Sequence, residues 1–115
     1  PIQLLDNLTD VFIDRNTFVS QTDYGAFIAF DGPPGARFTF TNNIGQLAQY
    51  AIHHPLGFNR RALDAMFPGS WTFSGNVFVG TYAESDFPPG TRVVGSIAEI
   101  GYVNPGAGDW RLAPT

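Results

Sequence analysis

The chain has 115 residues, enough for one domain, and a formal net charge of −4 from six arginines, no lysine and ten acidic residues. Such a balance excludes nucleic-acid partners, because a protein that binds them must neutralise a row of phosphates. Eleven phenylalanines exclude a disordered chain, the absence of cysteine excludes disulfides, and no apolar run is long enough for membrane insertion.

The predicted elements are mostly short strands, because 13 glycines and nine prolines interrupt the chain. Strands rich in β-branched and aromatic residues are predicted, in chain order, at residues 11–13, 27–30, 37–40, 71–73, 76–79 and 92–94. One helix is predicted over residues 59–67, where Leu63, Met66 and Phe67 share a face and Pro68 follows. The composition therefore predicts an all-β domain with one short helix.

A short motif recurs three times: an apolar residue, two spacers, an asparagine and a β-forming residue. Its asparagines are Asn16, Asn43 and Asn76, at intervals of 27 and 33 residues. Units that repeat in this way stack on one another, with apolar residues inside and equivalent asparagines bonded along the axis. The motif predicts a β-solenoid with parallel pairing, in which each asparagine forms a tight bend through a left-handed backbone.

The segments 11–18, 38–44 and 71–78 resemble the repeat of the right-handed parallel β-helix, the pectin-lyase-like superfold. The tail, residues 99–115, contains Gly-Asp-Trp-Arg-Leu at 108–112 and is similar to the last segment of many secreted bacterial β-helix proteins. The resemblance implies a right-handed parallel β-helix of three to four coils with the helix in a loop insertion. It further implies a single domain over residues 1–115, cut from a longer parent chain, and a secreted or cell-surface location.

Two functions are compatible with this fold. The preferred one is an extracellular structural or binding module, whose partner is a polysaccharide or a second copy stacked end to end into filaments. The alternative is the C-terminal part of a secreted polysaccharide-active enzyme, a lyase or a glycosidase, whose catalytic coils lie upstream. No cofactor or metal is expected. No activity is expected from this chain alone, because its carboxylates are scattered and Asp10 and Asp14 lie more than about 12 Å apart on an ideal strand.

The candidate ligand-binding residues are His53, His54, Arg60, Arg61 and Asp64, in or beside the long segment 55–69. This segment is predicted to project from the coil, and an arginine pair there would suit an anionic sugar. The alternative is a loop held by ordinary hydrogen bonds, because neighbouring strand residues face opposite sides and the two histidines then share no metal.

The aromatic residues are assigned to two groups. The pattern predicts that Phe12, Trp71 and most other phenylalanines line the interior. Exposed aromatic side chains are expected at Tyr82, Phe87 and Trp110.

Overall fold

The structure is a computed structural model that describes residues 2–19 and 25–113. The strands and the helix are, in chain order, β1 (Ile2–Leu5), β2 (Thr9–Asp14), β3 (Thr17–Phe18), β4 (Ala26–Asp31), β5 (Ala36–Thr41), β6 (Ile44–Gln46), β7 (Tyr50–His54), β8 (Gly57–Phe58), α1 (Arg60–Met66), β9 (Trp71–Ser74), β10 (Val77–Val79), β11 (Arg92–Val94), β12 (Tyr102–Asn104) and β13 (Asp109–Leu112). No helix in these ranges is long and apolar enough to span a membrane. The chain is mostly β-structure with one short helix, as predicted.

Ten of the described strands pair in parallel to form three sheets. Sheet A joins β1, β4 and β7; sheet B joins β2, β5 and β9; sheet C joins β3, β6, β10 and β11. The chain visits the sheets in the order A, B, C and then starts again, with β8 and α1 inserted in its third passage. We call each passage a repeat: β1 to β3 form the first, β4 to β6 the second, β7 to β10 the third, and β11 belongs to the fourth.

The strand register stacks apolar side chains of equivalent position into one interior. In sheet B, Ile13 aligns with Phe40 and Phe73, and the rings of Phe40 and Phe73 stack at 5.2 Å. In sheet C, Gly45 aligns with Phe18 and Phe78. A Cβ atom added to Gly45 would lie 2.7 Å from Cε2 of the Phe27 ring. A glycine is needed there because Phe27 already fills the space.

Helix α1 is part of the wall of this interior. Ala62, Leu63 and Met66 are completely buried, and the Phe67 ring that follows stacks on Phe38 at 4.9 Å. The predicted apolar face of the helix is therefore confirmed. The helical part of the predicted projecting segment is held against the core by burial of that face, whereas Leu56 and Phe58 before it are 72% and 50% exposed.

Two aromatic assignments from the sequence are wrong. Phe12 is 70% exposed, since its neighbours Val11 and Ile13 take the inward positions of β2. Phe87 is only 4% exposed, because it packs on Phe78 with ring centres 5.2 Å apart. Trp71 and Tyr82 are half-buried against the core.

The tail forms an antiparallel ribbon of β12 and β13. Burial raises the pKa of the Tyr102 hydroxyl, and a hydrogen bond with Thr17 of β3 partly offsets the effect. Leu112 and Ile100 face Ile44 and Val77 of sheet C across a cavity of about 240 Å³. The ribbon thus lies over the outer side of sheet C, while the last two residues of the predicted tail, 114 and 115, lie outside the described ranges.

Candidate functional site

The three motif asparagines lie at one equivalent place, each directly before a strand of sheet C. Oδ1 of Asn43 accepts a hydrogen bond from the backbone N–H of Asn16 at 2.8 Å, and its Nδ2 donates to the Ile13 carbonyl at 3.0 Å. Asn76 makes the same two contacts one repeat later, with the Asn43 N–H and the Phe40 carbonyl, both at 2.9 Å. Asn43 and Asn76 each tie their own repeat to the one before it.

The left-handed residue of this bend is the one before the asparagine. Arg15, Asn42 and Gly75 have φ values of 58°, 57° and 69°, and the asparagines that follow them do not have positive φ. The predicted left-handed asparagine is therefore wrong by one position. The side chain of the asparagine is free to serve the adjacent repeat because the residue before it makes the turn.

Thr91 occupies the same place in the fourth repeat, before Arg92, which aligns with Val77. Its hydroxyl is buried and has no hydrogen-bond partner among the described residues. The asparagine series thus ends at a side chain too short to continue it.

A groove of about 590 Å³ lies on the outer face of sheet B. Its lining includes Asp10, Phe12, Arg37, Thr39, Ser70 and Trp71, from all three strands and the segment before β9. We call it the sheet-B groove. Phe12 faces outward at one edge of the sheet, in register with Thr39 and Thr72. Trp71 lies in the strand at the other edge, in register with the buried Phe38, and is half-buried against the core.

An ion pair forms the polar centre of the sheet-B groove. Arg37 donates from Nε and Nη2 to the two carboxylate oxygens of Asp10, with an Nη2–Oδ2 distance of 2.9 Å. This pairing lowers the pKa of Asp10 and raises that of Arg37, so both stay charged at neutral pH. Ser70 lies beside Arg37 on the side away from Asp10, and its hydroxyl accepts a hydrogen bond from the Arg37 backbone N–H at 3.1 Å.

Asp10 and Arg37 both have a left-handed backbone, with φ values of 58° and 60°. This conformation costs a residue with a side chain about 1–2 kcal/mol. Their side chains are each 63% exposed, so the fixed pair remains open to a ligand. Carboxylate oxygens and the remaining guanidinium N–H groups can bind the hydroxyl groups of a polar molecule.

Helix α1 orients the tryptophan wall of the groove. Nε1 of Trp71 donates to Asp64 Oδ1 at 2.8 Å, and the guanidinium carbon of Arg60 lies 5.7 Å from the centre of the indole ring. Arg60 and Asp64 are four residues apart and therefore lie on one side of the helix. Two of the five predicted ligand-binding residues thus contact Trp71, one of the residues that line this groove.

The other three predicted residues lie elsewhere. His53 faces outward from sheet A and contacts the rings of Tyr50 and Phe58, with centres 6.2 and 5.3 Å away. His54 is buried, and its Nδ1 accepts the Leu56 N–H at 3.0 Å within a turn. Arg61 packs its alkyl chain against Gly57, so the two arginines do not form a common fork.

The residues of the ion pair were missed in the sequence, although a signal was present. Asp10 and Arg37 are 27 residues apart, the same interval that separates Asn16 from Asn43. One repeat interval places two residues side by side on adjacent strands. Opposite charges at that spacing therefore indicate a cross-strand pair.

The carboxylates of sheet B are engaged in fixed contacts. Asp14 accepts hydrogen bonds at Oδ1 from the Thr41 hydroxyl at 2.7 Å and from Asn42 Nδ2 at 3.1 Å, and these bonds lower its pKa. Asp10 and Asp14 therefore remain ionised and do not serve as proton donors near neutral pH. In the described part of the chain, no group of three or more His, Asp or Glu side chains could hold a metal ion.

In comparisons with known proteins, no family model, curated protein or solved structure matches the chain.

Proposed function

We propose that the chain is a right-handed parallel β-helix that acts as an extracellular module and binds a neutral polysaccharide along the sheet-B groove. The fold part is supported by the recurrence of sheets A, B and C along the chain and by the shared asparagine contacts. Under this proposal each repeat is one coil, and the groove runs over the outside of three successive coils.

The sheet-B groove carries the functional part of the proposal. A sugar chain offers hydroxyl groups at its edges and C–H groups on its ring faces. For the sugar hydroxyl groups, the groove supplies a fixed ion pair and the hydroxyls of Ser70 and Thr39. For the C–H groups of the ring faces, it supplies the exposed Phe12 ring and the half-buried Trp71 ring. We infer a neutral polymer because Asp10 already neutralises Arg37 at the centre of the groove.

The test is titration calorimetry of the full chain against neutral and acidic polysaccharides, with substitutions inside and outside the groove. Trp71→Ala and Arg37→Gln are expected to raise the Kd for a neutral polymer by about tenfold each, as central contacts do. The chain offers matched controls in its tail, since Trp110 is half-buried and Arg111 forms a similar two-bond pair with Asp109. Trp110→Ala and Arg111→Gln are expected to leave the Kd unchanged within twofold.

Three results would contradict the proposal: no polymer binds, acidic polymers bind more tightly, or the tail variants weaken binding as much as the groove variants. The same incubations also test the enzyme alternative. New reducing ends or unsaturated products above a heat-treated control would favour a polysaccharide-active enzyme over a binding module.

A further inference from the structure

The first coil, formed by β1, β2 and β3, has one unpaired edge in each sheet among the described residues. β1 pairs only with β4, β2 only with β5, and β3 only with β6. The free N–H and C=O groups of the three strands point away from the second coil. Edges of this kind are templates for a further strand.

The apolar interior is also open at this end. Leu4 and Ile13 are half-buried, whereas their register partners Phe30 and Phe40 in the second coil are at most 1% exposed. The first coil therefore leaves apolar surface uncovered that the next coil buries.

Asn16 lacks the contact that its equivalents make with the coil before theirs. Asn43 and Asn76 donate from Nδ2 to the carbonyl three residues before the preceding motif asparagine. In the first coil, Nδ2 of Asn16 instead donates to the Asp14 carbonyl of its own coil, at 3.0 Å and exposed to solvent.

The opposite end of the molecule is covered in sheets A and C, whereas β9 of sheet B has no further strand beside it among the described residues. The carboxylate of Glu84 accepts the backbone N–H of Val93 in β11 at 2.9 Å, and β8 pairs along β7. Phe87 closes the interior over Phe78. A second copy stacked head to tail would have to displace these groups, so the two ends do not fit each other.

We infer that the first-coil end is a docking surface for one further coil of the same repeat, in parallel register. The occupant extends the existing coil-to-coil interface: its three strands pair with β1, β2 and β3, and one of its backbone carbonyls accepts from Asn16 Nδ2. A second copy docked through a twofold axis would present its strands antiparallel and would not supply the carbonyl in this geometry.

The test adds such a coil to the full chain. Ile2 and Ile28 are register partners, so residues 2–27 make one complete coil, and a copy of them placed directly before Ile2 continues the register. In the native chain, Asn16→Ala is expected to raise the unfolding equilibrium constant by about threefold. In the extended chain the increase should grow to about tenfold or more, because Asn16 then contacts a preceding coil. Amide exchange in Thr9–Asp14 is expected to slow in parallel.

The control is an extension of the same composition in scrambled order, which should change neither the cost of Asn16→Ala nor the exchange of β2. The inference is overturned if the duplicated coil behaves like the scrambled one. It is also overturned if the native chain sediments as a dimer in which Thr9–Asp14 is protected, because the occupant is then a second copy.

Discussion

The asparagine series allows a comparison of the same substitution in two environments. Asn76→Ala removes the partners of the Asn43 N–H and the Phe40 carbonyl, two backbone groups that are buried in the interior. A buried polar group left without a partner costs about 1–3 kcal/mol, so we expect Asn76→Ala to lower the free energy of unfolding by about 4 kcal/mol. A domain of this size has a total of about 5–15 kcal/mol, so the loss is a large share.

Asn16→Ala is the matched control at the end of the series. It removes an exposed hydrogen bond to the Asp14 carbonyl and a 3.2 Å contact with Asn43 Oδ1, which still accepts the Asn16 backbone N–H. No buried group is left unpaired, and we expect a cost of about 1 kcal/mol or less. Both variants remove the same side chain. The difference between their losses of free energy of unfolding therefore measures the bonds that Asn76 makes with the repeat before it.

Urea unfolding followed by circular dichroism measures both values. With a slope of about 2 kcal/mol per molar urea, Asn76→Ala should lower the midpoint by about 2 M and Asn16→Ala by about 0.5 M or less. The isosteric Asn76→Asp keeps an acceptor for the Asn43 N–H but places a carboxylate oxygen against the Phe40 carbonyl. This variant should be unstable at neutral pH and regain stability as the pH falls and the carboxyl becomes protonated. Equal losses for the two alanine variants would refute the reasoning, since the asparagines would then act only within their own turns.

Four further predictions follow from individual contacts. Thr91→Asn should raise the urea midpoint, because the longer amide replaces an unpartnered buried hydroxyl with the contacts that Asn76 makes; an unchanged or lower midpoint would argue against a fourth place in the series. Gly45→Ala should lower the free energy of unfolding by about 1–3 kcal/mol, because its Cβ atom would meet the buried Phe27 ring, and a neutral effect in the same assay would contradict this packing. Arg37→Gly should leave the melting temperature unchanged or higher while it weakens polysaccharide binding, because glycine relieves the left-handed backbone; a clear fall in melting temperature would show that the exposed ion pair matters more than the strain. The bonds to Thr41 and Asn42 lower the folded-state pKa of Asp14 from 3.8. The contribution of Asp14 to stability is therefore present above pH 3.8 and is lost as the pH falls through the lower folded value. Asp14→Asn should flatten that acid-side loss in a pH series of thermal melts, and an identical slope in both proteins would contradict the assignment.

The sequence was sufficient for the repeating parts of the fold. The recurring motif, at intervals of 27 and 33 residues, predicted which residues would align, and the apolar face of 59–67 predicted the side of α1 that packs inward. Phe12 was misplaced because residues 11–13 are three apolar residues in a row, and alternation alone does not say which of them point inward. The position relative to the asparagine distinguishes the inward residues. Phe40 and Phe73 lie three residues before their asparagines and point inward, and Ile13 lies at the same position before Asn16.

The groove was harder to predict because part of it depends on packing between unlike elements. The contact between Asp64 and Trp71 requires the position of α1 relative to β9, and no repeat interval encodes that position. The insertion occurs in one repeat only, so the sequence contains no second copy for comparison. Arg60 and Asp64 both contact Trp71, whereas the histidines with which they were grouped lie on another side of the fold, and a role of any of these residues in ligand binding stays a prediction.

Two columns of aligned residues illustrate how a repeating fold separates structure from recognition. The column of Asn16, Asn43 and Asn76 repeats one residue type, and Asn43 and Asn76 satisfy the same backbone groups of the repeat before theirs. The column of Asp10, Arg37 and Ser70 contains an anion, a cation and a hydroxyl, and its first two members keep a strained backbone. Exposed ion pairs contribute little stability, so folding alone does not account for the strain. Strain that persists where it aims polar side chains at a groove is typical of binding sites, and it supports recognition as the role of this column.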